Sequence, residues 1–503
     1  MFKAQRETFR TLFLEEFVSF NKRSLLILAL IILTAAALSF AMLTRGHPWW
    51  DDFASYVMQA RAILHGDMDE FVRRNAFTVQ NSSYPPGPVA YPWGYPLLLA
   101  PVVAIFGIHA LALKLVGIAF YALFLVVFYL LARTRLTENE SLLLTAILAV
   151  NPMLLLANDL ILSDIPFLAV STLGVLLIEW RVTGSSSRAA AYRDPVLGAV
   201  IFCAAFLRTN GILLFVPLAV ALLVQYWPDW KTTLRRCLPP LGAFGLLYLA
   251  AGWIFPNGQD SYLSHFSMFN LPRLWDNFLF YLWLPSWTFN YIPAGAVFYP
   301  LLAVFLLVSV FAHWKRDLAI HAYSLATFGL FILWPERQGL RFIYPVLPFL
   351  FIFAFDGMKL ALEHLPARWQ TLAPHLITGF FGLLLLLSLG TSAHSAWGNL
   401  AANREINGPF DEFSYDLYEF IRDETPAESV IVFVRPRAMR LFTDRDSFMT
   451  TRCQDLPKGD YIAIHEKIGN VGQIPPEQIS ACPGVTLEEV FNNRRFTVYR
   501  IHP

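Results

Sequence analysis

Two adjacent carboxylates, Asp51 and Asp52, follow a Trp pair in "HPWWDDFASYVMQARAILHG" (His47–Gly66), just after the first long apolar run of the chain. Tyr56, Ala60 and Leu64 come after them at helical spacing, which puts the pair at the head of a short helix near the membrane surface. Free backbone N–H groups and the helix dipole at that place favour ionised carboxylates. An ionised pair can accept a proton or hold a divalent cation. The plain alternative is a pair of solvated charges that ends a membrane helix, with Trp49 and Trp50 as interfacial anchors.

Complementary charge recurs at the same side of the later apolar runs. Asp159 and Asp164 lie in "NDLILSDIPFLAV" (Asn158–Val170), Arg208 in "FLRTNGI" (Phe206–Ile212), and Glu336, Arg337 and Arg341 in "PERQGLRFIYPVLP" (Pro335–Pro348). Each arginine alone reads equally well as a snorkelling anchor. Together on one face, carboxylates and guanidinium groups suit a lipid-linked substrate that carries phosphate, because arginine binds phosphate through paired hydrogen bonds. No His/Cys/Asp cluster has ligand spacing, so a divalent metal is permitted at Asp51 and Asp52 without being required, and His47 and His265 read as ordinary loop residues.

The elements that must position these groups are membrane helices. The chain of 503 residues is 56% hydrophobic and 15% charged, with a mean hydropathy of +0.49. Its apolar residues fall in blocks long enough to span a bilayer, at 24–43, 111–132, 142–157, 161–180, 196–208, 211–227, 238–255, 293–312, 318–334, 342–357 and 372–390, about eleven in all. The apolar piece 97–107 is too short and too rich in proline to count as a span. The first run lacks a small-residue cleavage site and reads as a retained helix. With the N-terminal segment 1–23 in the cytoplasm, the loops holding Arg133/Arg135, Arg181/Arg188/Arg193, Lys231/Arg235/Arg236, Lys315/Arg316 and Lys359/Arg368 are inside. All of them are basic, as the positive-inside rule asks. The expectation is a multi-pass protein of the inner (plasma) membrane, with a membrane part 24–390, a first outer loop 44–96 and an outer domain 391–503. A net charge of +1 gives no reason to expect nucleic acid as a partner.

The tail is different material. "FDEFSYDLYEFIRDE" (Phe410–Glu424) has helical spacing, and "SVIVFV" (Ser429–Val434), "YIAIHE" (Tyr461–Glu466) and "RFTVYRI" (Arg495–Ile501) read as strands, so a small soluble α/β domain is expected. Cys453 and Cys482 are the two cysteines of this tail, and an outer compartment would let them join; two unrelated thiols are the equal alternative.

"WWDDFASYVMQARAILHG", "YPPGPVAYPWGYPLLLAPVVAIFG" (Tyr84–Gly107), "NDLILSDIPFLAV", "FLRTNGILLFVPLA" and "RQGLRFIYPVLPFL" resemble, in order and in place, landmarks of the GT-C superfamily of membrane glycosyltransferases. Within it they resemble the bacterial relatives of the protein O-mannosyltransferases and of the lipid A aminoarabinose transferase. The resemblance implies an inverting transferase that moves a sugar from a polyprenyl-phosphate donor to a glycan, lipid or protein acceptor on the non-cytoplasmic face. It implies a catalytic carboxylate at Asp51 or Asp52, with Asp51 aligned to the first acid of the family pair. It also implies a donor-phosphate role for Arg341, with Arg208 as a second candidate; Tyr56, Asp159, Asp164, Glu336 and Arg337 are further site candidates by their place on the same face. The chemistry agrees: a hydroxyl attacking an anomeric carbon needs a base, whereas a departing phosphate needs only cations. A transporter would show paired broken helices near the midplane instead, and a non-catalytic assembly protein would not need the acidic pair.

Overall fold

The computed structural model describes residues 21–84, 86–183, 187–258, 271–364, 366, 370–466 and 472–502. Residues 1–20, His265 and Arg368 lie outside them. Among the described residues seven helices are long and apolar enough to cross a membrane: Lys22–Met42, Ala110–Ala132, Thr209–Tyr226, Trp230–Ile254, Gly295–His313, Leu340–Glu363 and Ala373–Ala401. The other four expected spans are helical as well. Two are Asp164–Thr183 and Ser187–Leu207, the third is the shorter Leu318–Leu333, and the fourth is split into Glu138–Ala149 and Pro152–Ala157. The split falls at Asn151, whose side chain accepts from the backbone N–H groups of Met153 and Leu154 and so opens a new helix instead of continuing the old one. The protein is a multi-pass α-helical membrane protein with a small C-terminal α/β domain.

Small residues set how closely the helices approach. Gly295–His313 packs along Leu340–Glu363, and a Cβ on Gly357 would lie 1.8 Å from the Phe305 carbonyl oxygen, so only glycine fits that crossing.

The loop that follows the first helix is mostly helical. Asp52–His65 ends at Gly66 in the left-handed region (φ 76°), Met68–Asn81 follows at once, and the proline-rich apolar piece becomes the helix Gly94–Phe106. That last helix has 13 residues, about 20 Å at 1.5 Å each, too short to cross; it packs against Asp52–His65.

The tail changes character later than expected. The last apolar helix runs on to Ala401, so the boundary placed at 391 falls inside it. Beyond it stands a five-stranded sheet of β1 Val430–Phe433, β2 Asp446–Phe448, β3 Tyr461–His465, β4 Thr486–Asn492 and β5 Phe496–His502, in the order β2-β1-β3-β5-β4. β1 pairs in parallel with β2 and β3, and β5 pairs antiparallel with β3 and β4. The helix Pro436–Thr443 makes the crossover from β1 to β2 that parallel pairing demands. Ile431, Phe433, Met439, Phe496 and Val498 form one core with Leu417 and Ile421 of the helix Glu412–Glu424. Cys453 and Cys482 are joined in a disulfide, with Cα atoms 5.2 Å apart.

Candidate functional site

Asp52 is the first residue of its helix, and Asp51 is the residue before it. Consecutive residues at a helix start point in different directions, and the two carboxylates meet different surroundings. Asp52 Oδ2 accepts from Nη1 and Nη2 of Arg341, each at 3.0 Å. Its Oδ1 accepts from the Tyr91 hydroxyl at 2.8 Å. Tyr91 is held against the same helix by Gln59, which accepts from the Tyr91 backbone N–H at 3.2 Å and donates to the Tyr91 carbonyl at 2.9 Å. Asp51 faces the C-terminal domain instead, where the backbone N–H of Arg437 donates to its Oδ1 at 3.2 Å and Arg437 Nε lies 3.8 Å from its Oδ2.

Arg341 enters from the short 3-10 segment Leu340–Val346 that leads into the helix Leu347–Glu363. Besides Asp52 it has Asp164 Oδ2 at 4.0 Å. Asp164 in turn pairs with Arg208. Like Asp52, Asp164 opens its helix, so two helix starts each present an acid to one arginine. Both cations approach the ring of Phe342, the Arg208 guanidinium at 4.7 Å and that of Arg341 at 4.9 Å, and Trp50 covers Arg341 at 5.4 Å. Tyr56 completes the floor: its hydroxyl is 3.1 Å from Ser163 Oγ and its ring centre 4.7 Å from that of Tyr91.

The two aspartates also differ in acidity. Burial pushes Asp51 up to about 6, with Arg437 and Arg435 opposing it. Burial acts on Asp52 in the same sense, but Arg341, the Tyr91 hydroxyl and Arg437 together outweigh it and hold Asp52 below its ordinary value. A shared place at the helix start does not give the two carboxylates the same acidity: for Asp51, removal from water is the largest influence and raises its pKa. The side chain of Asp52 is 20% exposed and that of Asp51 6%, so Asp52 is the one a substrate can reach.

Asp51, Asp52, Tyr56, Asp164, Arg208 and Arg341 thus come together. Three other candidates do not join them. Asp159 accepts from the buried Lys114 ammonium at 2.6 Å and from the Thr44 backbone N–H and hydroxyl at 2.7 and 2.8 Å; it fixes where the first helix ends. Glu336 accepts from the Tyr84 hydroxyl at 2.9 Å, and Arg337 stacks over Phe280 at 5.3 Å. His47 is buried, with its ring centre 4.4 Å from that of Phe53. Tyr91 and Arg437 were not among the expected residues. A signal for the second was present, since "FVRPRAMRLF" (Phe433–Phe442) sets three arginines in a stretch otherwise fit for a core.

Among the described residues no three or more His, Cys, Asp or Glu side chains gather as metal ligands. Each of the two loop aspartates faces a guanidinium, a donor set made for anions and not for a resident cation.

Neither a protein-family model nor the sequence of a curated protein matches the chain. Solved structures do. ArnT from Cupriavidus metallidurans bound to undecaprenyl phosphate matches with a TM-score of 0.55 at 14% identity, over 94% of this chain and 97% of that one. The oligosaccharyltransferase of Archaeoglobus fulgidus in its apo form matches with a TM-score of 0.58 at 13% identity, over 88% of this chain and 70% of that one. The oligosaccharyltransferase AglB from Archaeoglobus fulgidus in complex with an inhibitory peptide and a dolichol-phosphate matches with a TM-score of 0.52 at 12% identity, over 89% of this chain and 70% of that one. At such identities the likeness is one of fold, shared with ArnT and with the archaeal oligosaccharyltransferase.

Proposed function

We propose that this protein is an integral-membrane inverting glycosyltransferase that takes a sugar from a polyprenyl-phosphate donor and delivers it to a cell-envelope acceptor on the non-cytoplasmic face. The observation that carries the reading is Asp52, ionised and within reach of solvent, hydrogen-bonded to an arginine that a second arginine and an aromatic ring flank. The fold supports it: structures of the same fold hold undecaprenyl phosphate and dolichol-phosphate.

In this reading Arg341 and Arg208 bind the donor phosphate, and Arg341 exchanges its hydrogen bonds with Asp52 for bonds to phosphate oxygens. Asp52, released from one partner, faces the acceptor hydroxyl. The hydroxyl oxygen attacks the anomeric carbon on the face opposite the phosphate, its proton passes to Asp52, and the carbon–oxygen bond to phosphate breaks with the electron pair leaving on the polyprenyl phosphate. One displacement inverts the configuration. The leaving anion is stable, so the two guanidinium groups serve where an acid would otherwise be needed. No step requires a metal.

The test is transfer by purified protein in nanodiscs, with a panel of polyprenyl-phosphate pentoses and hexoses as donors, compared with Asp52→Asn and Asp51→Asn. Loss with Asp52→Asn and a smaller effect with Asp51→Asn supports the assignment; the reverse order moves the base to Asp51. Reporter fusions after Ser83 and Thr425 should report the outside, and fusions after Arg236 and Lys315 the cytoplasm. A cytoplasmic report after Ser83 refutes the face.

A further inference from the structure

The C-terminal sheet domain sends one side chain into the acidic loop. Arg437 lies in the first turn of the helix Pro436–Thr443, and its side chain is fully buried. Its Nη1 donates to the Pro86 carbonyl at 3.0 Å, its Nη2 to the Pro88 carbonyl at 2.5 Å and its Nε to Asn75 Oδ1 at 3.3 Å. Its backbone N–H and Nε face Asp51, as described. Its guanidinium carbon lies 5.6 Å from the ring centre of Tyr91, the residue whose hydroxyl donates to Asp52. One guanidinium therefore ties together the head of the first loop helix, the second loop helix and the proline turn that leads to Tyr91.

The turn is shaped for this. Gly87 has φ +127°, and a Cβ there would lie 2.6 Å from the Tyr91 hydroxyl oxygen and 3.0 Å from Arg437 Nη1, so no side chain can stand where the guanidinium and the phenol meet. Pro86 and Pro88 have no N–H to offer, but their carbonyls point at the fork. A lysine supplies three donors at a point and cannot reach the same set of acceptors. Attachment of the domain alone does not need this residue: Arg435 Nε donates to the Trp49 carbonyl at 2.5 Å and Arg74 pairs with Asp444 at 2.6 Å and Asp446 at 2.9 Å.

We propose that Arg437 is a positioning residue for the transfer reaction: it clamps the outer loop so that Tyr91 and Asp52 stay aimed at Arg341, which makes the C-terminal domain a part of the site. The proposal rests on Asp52 as the base.

It is tested in the full-length protein in nanodiscs with Arg437→Met, Arg437→Lys and Gly87→Ala, reading hydrogen exchange over residues 86–91, kcat and donor KM with the transferring donor of the panel, and the pH profile of kcat. All three should speed exchange at 86–91. The Met variant should lower kcat by roughly 10- to 100-fold, the size expected for misplacement of a reacting group by about an ångström, with donor KM and binding of undecaprenyl phosphate little changed.

The titratable groups that face the two aspartates are each other, the cations Arg435 and Arg437 of the C-terminal domain and Arg341, and the neutral His47, Tyr56, Tyr91 and Tyr418. Removing one cation from this set raises the carboxylate pKa values. The acid limb of the profile should therefore move to higher pH in the Met variant and stay in place in the Lys variant, which keeps the charge and loses the fork. A merely structural role would lower kcat without moving the limb. A folded Met variant with wild-type kcat and limb, or with unchanged exchange at 86–91, overturns the proposal. Asp52→Asn with near-normal transfer overturns the assignment of the base instead, and the exchange measurement still decides whether the clamp exists.

Discussion

Two clusters of charge sit at opposite ends of the helix bundle, and only one of them has a sealed centre. At the end away from the acidic loop, Arg135 donates to Asp317 at 2.7 Å and to Glu179 at 2.6 Å, while Arg316 pairs with Asp317 at 2.8 Å. Asp356 accepts from Ser309 at 2.7 Å and pairs with Arg316 at 3.3 Å. The side chains of Arg135 and Asp317, at the centre of this cluster, are 3% and 0% exposed and have spent their bonding on their neighbours, while Arg316 at its edge is 44% exposed. At the end with the acidic loop, Arg341 is 28% exposed and Arg208 16%, and among the described residues Asp164 Oδ2 has no hydrogen-bond donor. Similar residues make a clasp in one place and a receptive surface in the other; what separates them is the share of the central cation, Arg135 or Arg341, left for something else.

Substitutions should separate the two. The largest effect on turnover is expected from Asp52→Asn, which keeps size and removes the proton acceptor: transfer should fall by roughly 10²–10⁴-fold with the folded yield unchanged. Asp317→Asn should do the opposite. It leaves Arg135 short of a buried partner, at a cost of roughly 3–5 kcal/mol, read as a lower unfolding temperature in detergent with normal transfer per folded molecule. If Asp317→Asn slowed the folded enzyme as strongly, the contrast between clasp and receptive surface would be wrong.

Arg341→Ala should weaken undecaprenyl phosphate binding roughly 10- to 100-fold, the worth of a charge-assisted hydrogen bond of about 1.5–3 kcal/mol, measured by titration in nanodiscs. Unchanged affinity would move the phosphate to Arg208.

The smallest effect sharpens the difference between the adjacent acids. Asp51, raised from 3.8 to about 6, binds its proton more tightly when folded. Its stabilising share is full below pH 4 and is lost as pH rises through 6. Asp52, held below its ordinary value, has the opposite sign: its share is present above that value and lost as pH falls. Thermal unfolding followed against pH should show the decline between pH 4 and 6 vanish in Asp51→Asn. A decline that persists would place its origin in another group.

Much of this was legible in the sequence, for reasons that can be named. The long apolar runs and the helical spacing behind Asp52 follow from local chemistry, and so did β1, β3 and β5. β2, with three residues, and β4, whose residues are largely exposed, gave no run of apolar residues to read. Asp159 was grouped with Asp164 because both stand at one helix end, yet Lys114, a lone ammonium in the apolar run Ala110–Ala132, needed a partner, and that need was the available clue. Which of two neighbouring aspartates would be sealed depended on a residue 386 positions away, and no local pattern carries that.

The same separation sets an order of events in the making of the protein. Asp51 and Asp52 leave the ribosome with the first loop, but Arg437 follows only after another 386 residues, roughly 20–80 s later at ordinary rates of synthesis. A chain cut short anywhere before the sheet domain would hold its helices in the bilayer with the acidic loop unclasped. In the proposed reaction, competence would wait on the sheet domain, and copies that lack it would carry an unaimed base.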